Sequence, residues 1–173
     1  MTNYKPLLKN INTFIFDYDG VLTDGSIITL DDGEAYRTTN VKDGYALQLA
    51  VKKGYRVVVI SGAKADCMLH RLKALQIKDV YLGIENKLEV FNNYLSDHNI
   101  GADQVLFMGD DIPDYEIMLK AGISTCPADA VEEIRKVASY ISHASGGKGC
   151  VRDVIEQVLK IQGKWMNDDG YHW

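Results

Sequence analysis

The sequence predicts an α/β fold, a doubly wound, Rossmann-like parallel sheet with helices on both faces and a small β-hairpin insertion. Three observations carry this. Short β-branched and aromatic runs recur along the chain, amphipathic stretches at helical spacing separate them, and one early segment breaks the rhythm with an Asp-Gly turn. The apolar runs show little alternation, as strands buried on both faces do, and their regular exchange with helical stretches marks βαβ units.

The first run is "TFIFDY" (13–18), ending in two aspartates one residue apart, Asp17 and Asp19. "GSIITLDDGEAYRTTN" (25–40) follows, with Asp32-Gly33 between two strand-like pieces, the strongest short hairpin signal. "KDGYALQLAVKKG" (42–54) places Leu47, Ala50 and Val51 at helical spacing and stops at Gly54. A strand "YRVVVIS" (55–61) leads to a helix over 64–75, with Met68, Leu72 and Leu75 on one face. "DVYLG" (79–83) is the next strand, and 86–101 the next helix, with Leu88, Phe91 and Leu95 and a stop at Gly101. "QVLFMGD" (104–110) precedes a helix over 113–122 that opens on a proline, and "GISTC" (122–126) is a weaker strand. The polar end, 163–173, has no periodicity, so the reading is one domain over 1–163 with a tail from 164 to 173.

A length of 173 residues suits one well-cored domain, and 46% apolar with 25% charged residues is an ordinary globular balance. A net charge of −5 gives nucleic acid no basic surface to bind. No run has the length of a signal core or a membrane span, and three scattered cysteines form no disulfide or zinc pattern. A cytoplasmic protein is expected.

In an open parallel sheet, ligands bind at the carboxyl ends of the strands. Those ends carry Asp17 and Asp19, then Ser61-Gly62, then Lys87 at the start of a helix, then Asp110, Asp111 and Asp114 in "GDDIPD". Singly, each has a plain reading as turn, cap or solvated charge. Together, carboxylates in one crevice repel unless a cation neutralises them, and hard oxygen donors with room for a phosphate suit Mg²⁺. Residues i and i+2 of a strand face the same way, so Asp17 and Asp19 can reach one reacting group. Asp17 can attack phosphorus, and Asp19 can protonate the leaving alcohol and then deprotonate water. Lys87 and the Ser61 hydroxyl would hold the phosphoryl oxygens.

"FDYDGVLTDG", "VVVISG", Lys87 in "ENKLEV" and "GDDIPD", in that order, resemble the four motifs of the haloacid dehalogenase superfamily. With the hairpin, "TNVKDGYAL" and "SGGKGCVRDVIE", the chain from about residue 10 to 163 is similar to its octulosonate 8-phosphate phosphatase family. The resemblance implies a hairpin instead of a cap domain, Asp17 as nucleophile and Asp19 as general acid/base. It implies Mg²⁺ held by the Asp17 carboxylate, the Asp19 backbone carbonyl and Asp110, with Asp111 and Asp114 behind them. A phosphorylated sugar acid would be the substrate, in lipopolysaccharide synthesis, met by Asn40, Val41, Lys42, Asp43 and Gly44 and by Gly62 and Arg71. A homotetramer is implied, its hairpins packed together and a neighbouring subunit closing each site.

Two positions depart from the family pattern. Arginines expected after the second-motif glycine and in the helix after "KDG" are Ala63 and Gln48 here. An arginine fork is the natural partner of a 2-keto-acid carboxylate, so a nine-carbon keto-acid 9-phosphate stays open beside the eight-carbon substrate. Arg71, Lys64, Arg37 and Lys148 are candidates to compensate, each also readable as surface charge. A non-catalytic oligomerisation module is the reading from another class, opposed by the complete set of chemical positions.

Overall fold

The computed structural model describes residues 3–64, 66–166 and 171, so most of the tail from 164 to 173 lies outside the described residues. Its main sheet has six parallel strands: β1 (Thr13–Phe16), β4 (Arg56–Ile60), β5 (Asp79–Tyr81), β6 (Val105–Met108), β7 (Ile123–Cys126) and β8 (Tyr140–Ile141). Their order is β5-β4-β1-β6-β7-β8. The chain winds outward from β1 through β4 to β5, returns to the other side of β1 as β6, and winds outward again. The carboxyl ends of β1, β4 and β6 therefore meet at a topological switch point, where such sheets bind ligands.

The strands bury alternate residues on opposite faces. Phe14, Phe16, Val57, Val59, Leu106 and Met108 pack under α1 (Val41–Lys52), α2 (Asp66–Ala74) and α6 (Cys150–Ile161). Ile15, Val58, Ile60, Val105 and Phe107 face α3 (Lys87–His98), α4 (Tyr115–Met118) and α5 (Glu132–Val137). The strand positions named are buried on both sides, which is why the apolar runs do not alternate.

Local chemistry sets the boundaries. Asn40 caps α1 by accepting from the Lys42 N–H at 2.8 Å, and Asn86 caps α3 by accepting from the Glu89 N–H at 3.1 Å. The helix expected to stop at Gly101 ends earlier, because Asn99 takes the left-handed conformation at φ 52°. The helix expected over 113–122 is instead a 3-10 turn, Ile112–Asp114, leading into the four-residue α4. Helix α6 went unplaced in the sequence, although Val151, Val154, Ile155, Val158 and Leu159 bury one face of it against α1.

The hairpin is present between β1 and α1. Strands β2 (Ile28–Thr29) and β3 (Ala35–Tyr36) pair antiparallel. Between them the Leu30 N–H donates to the Glu34 carbonyl at 2.8 Å and the Gly33 N–H to the Leu30 carbonyl at 2.9 Å. It lies within the segment read as the insertion, 25–40, and Ile27, Ile28, Leu30 and Tyr36 stay exposed on it.

Candidate active site

Phe16 is in register with Val59 and Met108, so the residues just beyond them emerge at one end of the sheet. They line a crevice of about 410 Å³ with Asp17, Asp19, Gly20, Ser61, Gly62, Ala63, Lys87, Asp110, Asp111 and Asp114 on its walls. The convergence expected from the motifs is therefore real.

Asp17 is held on three sides. Its backbone N–H donates to the Met108 carbonyl at 3.0 Å, and its Oδ1 accepts from the Tyr18 N–H at 2.7 Å. The same oxygen pairs with Lys87 Nζ at 3.0 Å. Lys87, the first residue of α3, also pairs with Asp114 Oδ1 at 2.8 Å. Asp114 is fully buried, and its Oδ2 accepts from the Asp110 N–H at 3.1 Å. Both oxygens of Asp114 are thus committed to fixing Lys87 and the Asp110 backbone. Gly109 makes this possible, since a Cβ there would stand 2.5 Å from the Asp114 side chain.

Burial, then the Asp114 carboxylate, pushes Asp17 up to about 7 against the opposing pull of Lys87. Asp110 is pushed up to about 8, by burial first and then by the charges of Asp17, Asp114 and Asp111. Burial also raises Asp114. Burial alone would lower the Lys87 ammonium, but Asp17 and Asp114 outweigh it and leave it raised. One ammonium shared by two carboxylates leaves a third uncompensated.

A divalent cation fits that deficit. Carboxylate oxygens of Asp17, Asp110 and Asp114 lie within 4.8 Å of one another, and Asp110 Oδ1 is buried with no hydrogen-bond partner among the described residues. A buried carboxylate oxygen left unsatisfied costs several kcal/mol, on the order of the penalty for any unpaired buried charge. Carboxylate oxygens are hard donors and suit Mg²⁺ better than a soft-ligand metal.

Asp19 faces elsewhere. Arg37 Nε reaches its Oδ1 at 2.7 Å and Oδ2 at 3.0 Å, and Thr23 Oγ1 lies 3.4 Å from Oδ1. Its carboxylate lines the crevice but stands outside the three-carboxylate cluster. Ser61 is buried, with its Oγ accepting from the Ala63 N–H at 3.2 Å. Asp111 is exposed and its Oδ1 accepts from the Ile112 N–H at 2.7 Å, capping the 3-10 turn.

The residues expected to meet the sugar acid divide. Gly62 and Ala63 are on the crevice wall. Val41 and Lys42 are exposed at the start of α1. Asn40 Nδ2 donates to the Gly147 carbonyl at 3.2 Å. Asp43 is 1% exposed and turned away from the crevice, accepting from the Gly149 N–H at 3.1 Å and the Arg152 N–H at 2.7 Å at the start of α6. Gly44 packs beneath Arg71, whose Nε is buried without a partner among the described residues, beside a hollow of about 10 Å³. Lys148 pairs with Asp24 at 3.1 Å.

Sequence reasoning passed over Thr23, Glu85 and Pro113. Thr23 Oγ1 accepts from the Gly20 N–H at 3.3 Å and the Gly25 N–H at 3.2 Å, tying the loop after β1. Its place four residues after Asp19 in a turn was a usable signal. Glu85 and Pro113 line the crevice, and nothing in their local sequence announces it.

Comparison with known proteins agrees with this geometry. The chain is 38% identical over 156 residues to the 3-deoxy-D-manno-octulosonate 8-phosphate phosphatase KdsC of Salmonella typhi, covering 90% of this chain and 83% of that one. The chain belongs to this phosphatase family. A model of haloacid dehalogenase-like hydrolases matches residues 85–152. As a member, the protein is a phosphoric monoester hydrolase. The family's solved structures superpose closely. A Moraxella catarrhalis octulosonate 8-phosphate phosphatase in complex with magnesium, phosphate and KDO gives a TM-score of 0.91 at 31% identity, covering 94% of each chain. A cobalt-bound form of the Haemophilus influenzae phosphatase gives 0.89 at 30%, covering 95% of this chain and 98% of that one. Among the described residues no helix is long and apolar enough to cross a membrane.

Proposed function

We propose that the protein hydrolyses 3-deoxy-D-manno-octulosonate 8-phosphate to KDO and inorganic phosphate, through an aspartyl-phosphate intermediate and with Mg²⁺. The observation that carries this is Asp17 held by Lys87 beside the unpartnered oxygen of Asp110. Asp17, Asp110 and the backbone carbonyl of Asp19 would hold the ion, which when bound neutralises the phosphoryl oxygens and the Asp17 carboxylate.

The free oxygen of Asp17 attacks phosphorus while the bond from phosphorus to the sugar oxygen breaks. Asp19 passes its proton to that departing oxygen. Lys87 and the Ser61 hydroxyl bind the equatorial oxygens as they flatten toward the transition state. Water then attacks the phosphoryl group, Asp19 takes up its proton, and the Asp17–phosphorus bond breaks to release phosphate. Asp114 does not touch the substrate in this scheme, but keeps Lys87 pointed at the crevice.

Assembly is part of the proposal. The apolar residues exposed on the hairpin support a homotetramer in which hairpins pack together and a neighbour covers the open crevice. A cytoplasmic place in lipopolysaccharide synthesis follows from the proposed substrate. A nine-carbon keto-acid 9-phosphate is the second reading, favoured by Ala63 on the crevice wall where a carboxylate-binding arginine is expected.

The test is Mg²⁺-dependent phosphate release from octulosonate 8-phosphate and from nine-carbon keto-acid 9-phosphates side by side, with Asp17→Asn as control. A higher kcat/KM on the eight-carbon ester supports the first reading. Preference for a nine-carbon ester moves the pathway and leaves the catalytic roles. Asp17→Asn retaining full activity would remove the nucleophile assignment, because an amide cannot accept the phosphoryl group.

A further inference from the structure

We propose that Arg37 is a positioning residue for Asp19, and that through it the hairpin is a working part of the active site. The inference rests on the reading of Asp19 as the group that protonates the leaving oxygen. Arg37 directly follows the hairpin's return strand, 18 residues beyond Asp19, and its side chain is only 6% exposed. The rest of the hairpin is open to solvent, with Ile28 58% and Tyr36 46% exposed. A solvated tether would resemble Lys136–Glu132, whose side chains are 65% and 77% exposed. Burying a guanidinium against one carboxylate is costly unless the geometry is good. Here the contact is close, one Nε–H being shared between both carboxylate oxygens at 2.7 and 3.0 Å in a three-centre bond.

This arrangement fixes the carboxylate without using it up. Each oxygen of a carboxylate has two lone pairs, so an Nε shared between the two leaves outward lone pairs on both. Thr23 adds a contact to Oδ1 at 3.4 Å from the opposite end of the loop. Asp19 sits on a turn beside Gly20, at φ +83°, where nothing in the β-sheet ladder restrains its side chain. Arg37 supplies the restraint from outside the loop. Its Nη1 also lies 3.5 Å from the Ala35 carbonyl of β3.

Positioning is distinguished from tethering by the leaving group. An alkyl phosphate needs a proton delivered to its departing oxygen, whereas p-nitrophenolate departs without one. kcat/KM contains only the steps up to that departure, so the later uptake of a proton from water does not enter it. Arg37→Ala, in the Mg²⁺-loaded enzyme, is expected to lower kcat/KM on a simple alkyl phosphate about 10²-fold, the cost of a displaced proton donor. On p-nitrophenyl phosphate the fall should stay within about threefold, so the ratio of the two shifts roughly 30-fold or more. The ratio cancels any difference in the amount of folded enzyme. Arg37→Lys keeps the cation with a poorer reach to two oxygens, and its ratio should lie between wild type and alanine. An active wild type whose ratio is unmoved in both variants, through equal losses or none, overturns the proposal alone. A wild type inactive on both esters takes away the underlying reading and this proposal with it.

Discussion

Removing Mg²⁺ should make the protein lose stability as pH rises, the reverse of ordinary acid unfolding. Asp17 at about 7 and Asp110 at about 8 are held well above their unfolded values near 4. Between those values the folded state keeps protons that the unfolded chain has released. Stability from these groups is thus fully present below about pH 4 and is lost as pH climbs through 7 to 8. At about 1.4 kcal/mol per proton per pH unit, Asp110 and Asp17 together account for roughly 4 kcal/mol between about pH 5.5 and 7.5. Water reaches the open side of the crevice and screens Asp110, so about half the sum, on the order of 2 kcal/mol, is the expected loss. For a chain of this size that is roughly 4–8 °C in Tm. Metal needs the ionised carboxylates, so Mg²⁺ should restore more stability at the higher pH. The assay is thermal unfolding of chelator-treated protein across this range, with and without saturating Mg²⁺. Asp110→Asn should flatten the metal-free slope and abolish most of the Mg²⁺ response. A metal-free Tm that rises with pH, or a Mg²⁺ effect equal at both ends, would refute the reasoning.

Three further outcomes follow from the geometry. Gly20→Ala puts a Cβ onto the Asp110 carboxylate at a backbone φ of +83°, and the left-handed strain alone is about 1–2 kcal/mol. Mg²⁺ stabilisation and phosphate release should fall together, roughly 100-fold for the latter, and a variant with unaltered Mg²⁺ response would contradict the contact. Asp43→Ala removes the acceptor of two N–H groups at the start of α6. It should cost about 1–2 kcal/mol in denaturant unfolding with KM unchanged, while a tenfold rise in KM without destabilisation would restore Asp43 to the substrate. Dilution to monomer should cost more activity on the sugar-acid phosphate than on a small aryl phosphate if a neighbour covers the crevice. Equal loss on both would count against a shared site.

The sheet was legible because β1, β4 and β6 carry apolar runs buried on both faces, while the weaker β5 and β7 follow in the same exchange of strand and helix. β8 has two residues, too few for any pattern, and is fixed by pairing with β7. The motif residues were legible for a related reason: they follow strands directly, so sheet register places them. Phe16, Val59 and Met108 stand abreast, and Asp17, Ser61 and Asp110 inherit that alignment. Residues carried by the hairpin or by α1 have no such constraint. Asp43 sits in a segment read as substrate-facing, yet tertiary packing spends its carboxylate on the N–H groups of α6. Arg37 looked like surface charge because its partner is set by how the hairpin folds back, which no local periodicity encodes.

The charge of the crevice connects these points. Among the described residues, six acidic residues line it, Asp17, Asp19, Glu85, Asp110, Asp111 and Asp114, with Lys87 as the one lysine. A phosphorylated acid could not enter such a field unaided. A divalent cation at Asp17 and Asp110 relieves the deep end, where Asp110 Oδ1 has no protein partner. It would not pair with the Asp19 carboxylate, which is turned to the hairpin. There Arg37 is the compensating charge. The two halves of the proposed chemistry therefore have separate electrostatic supports: metal and Lys87 for the nucleophile, and the hairpin guanidinium for the proton carrier. A chain without a cap domain can divide the work in this way because its short insertion reaches back to the loop after β1.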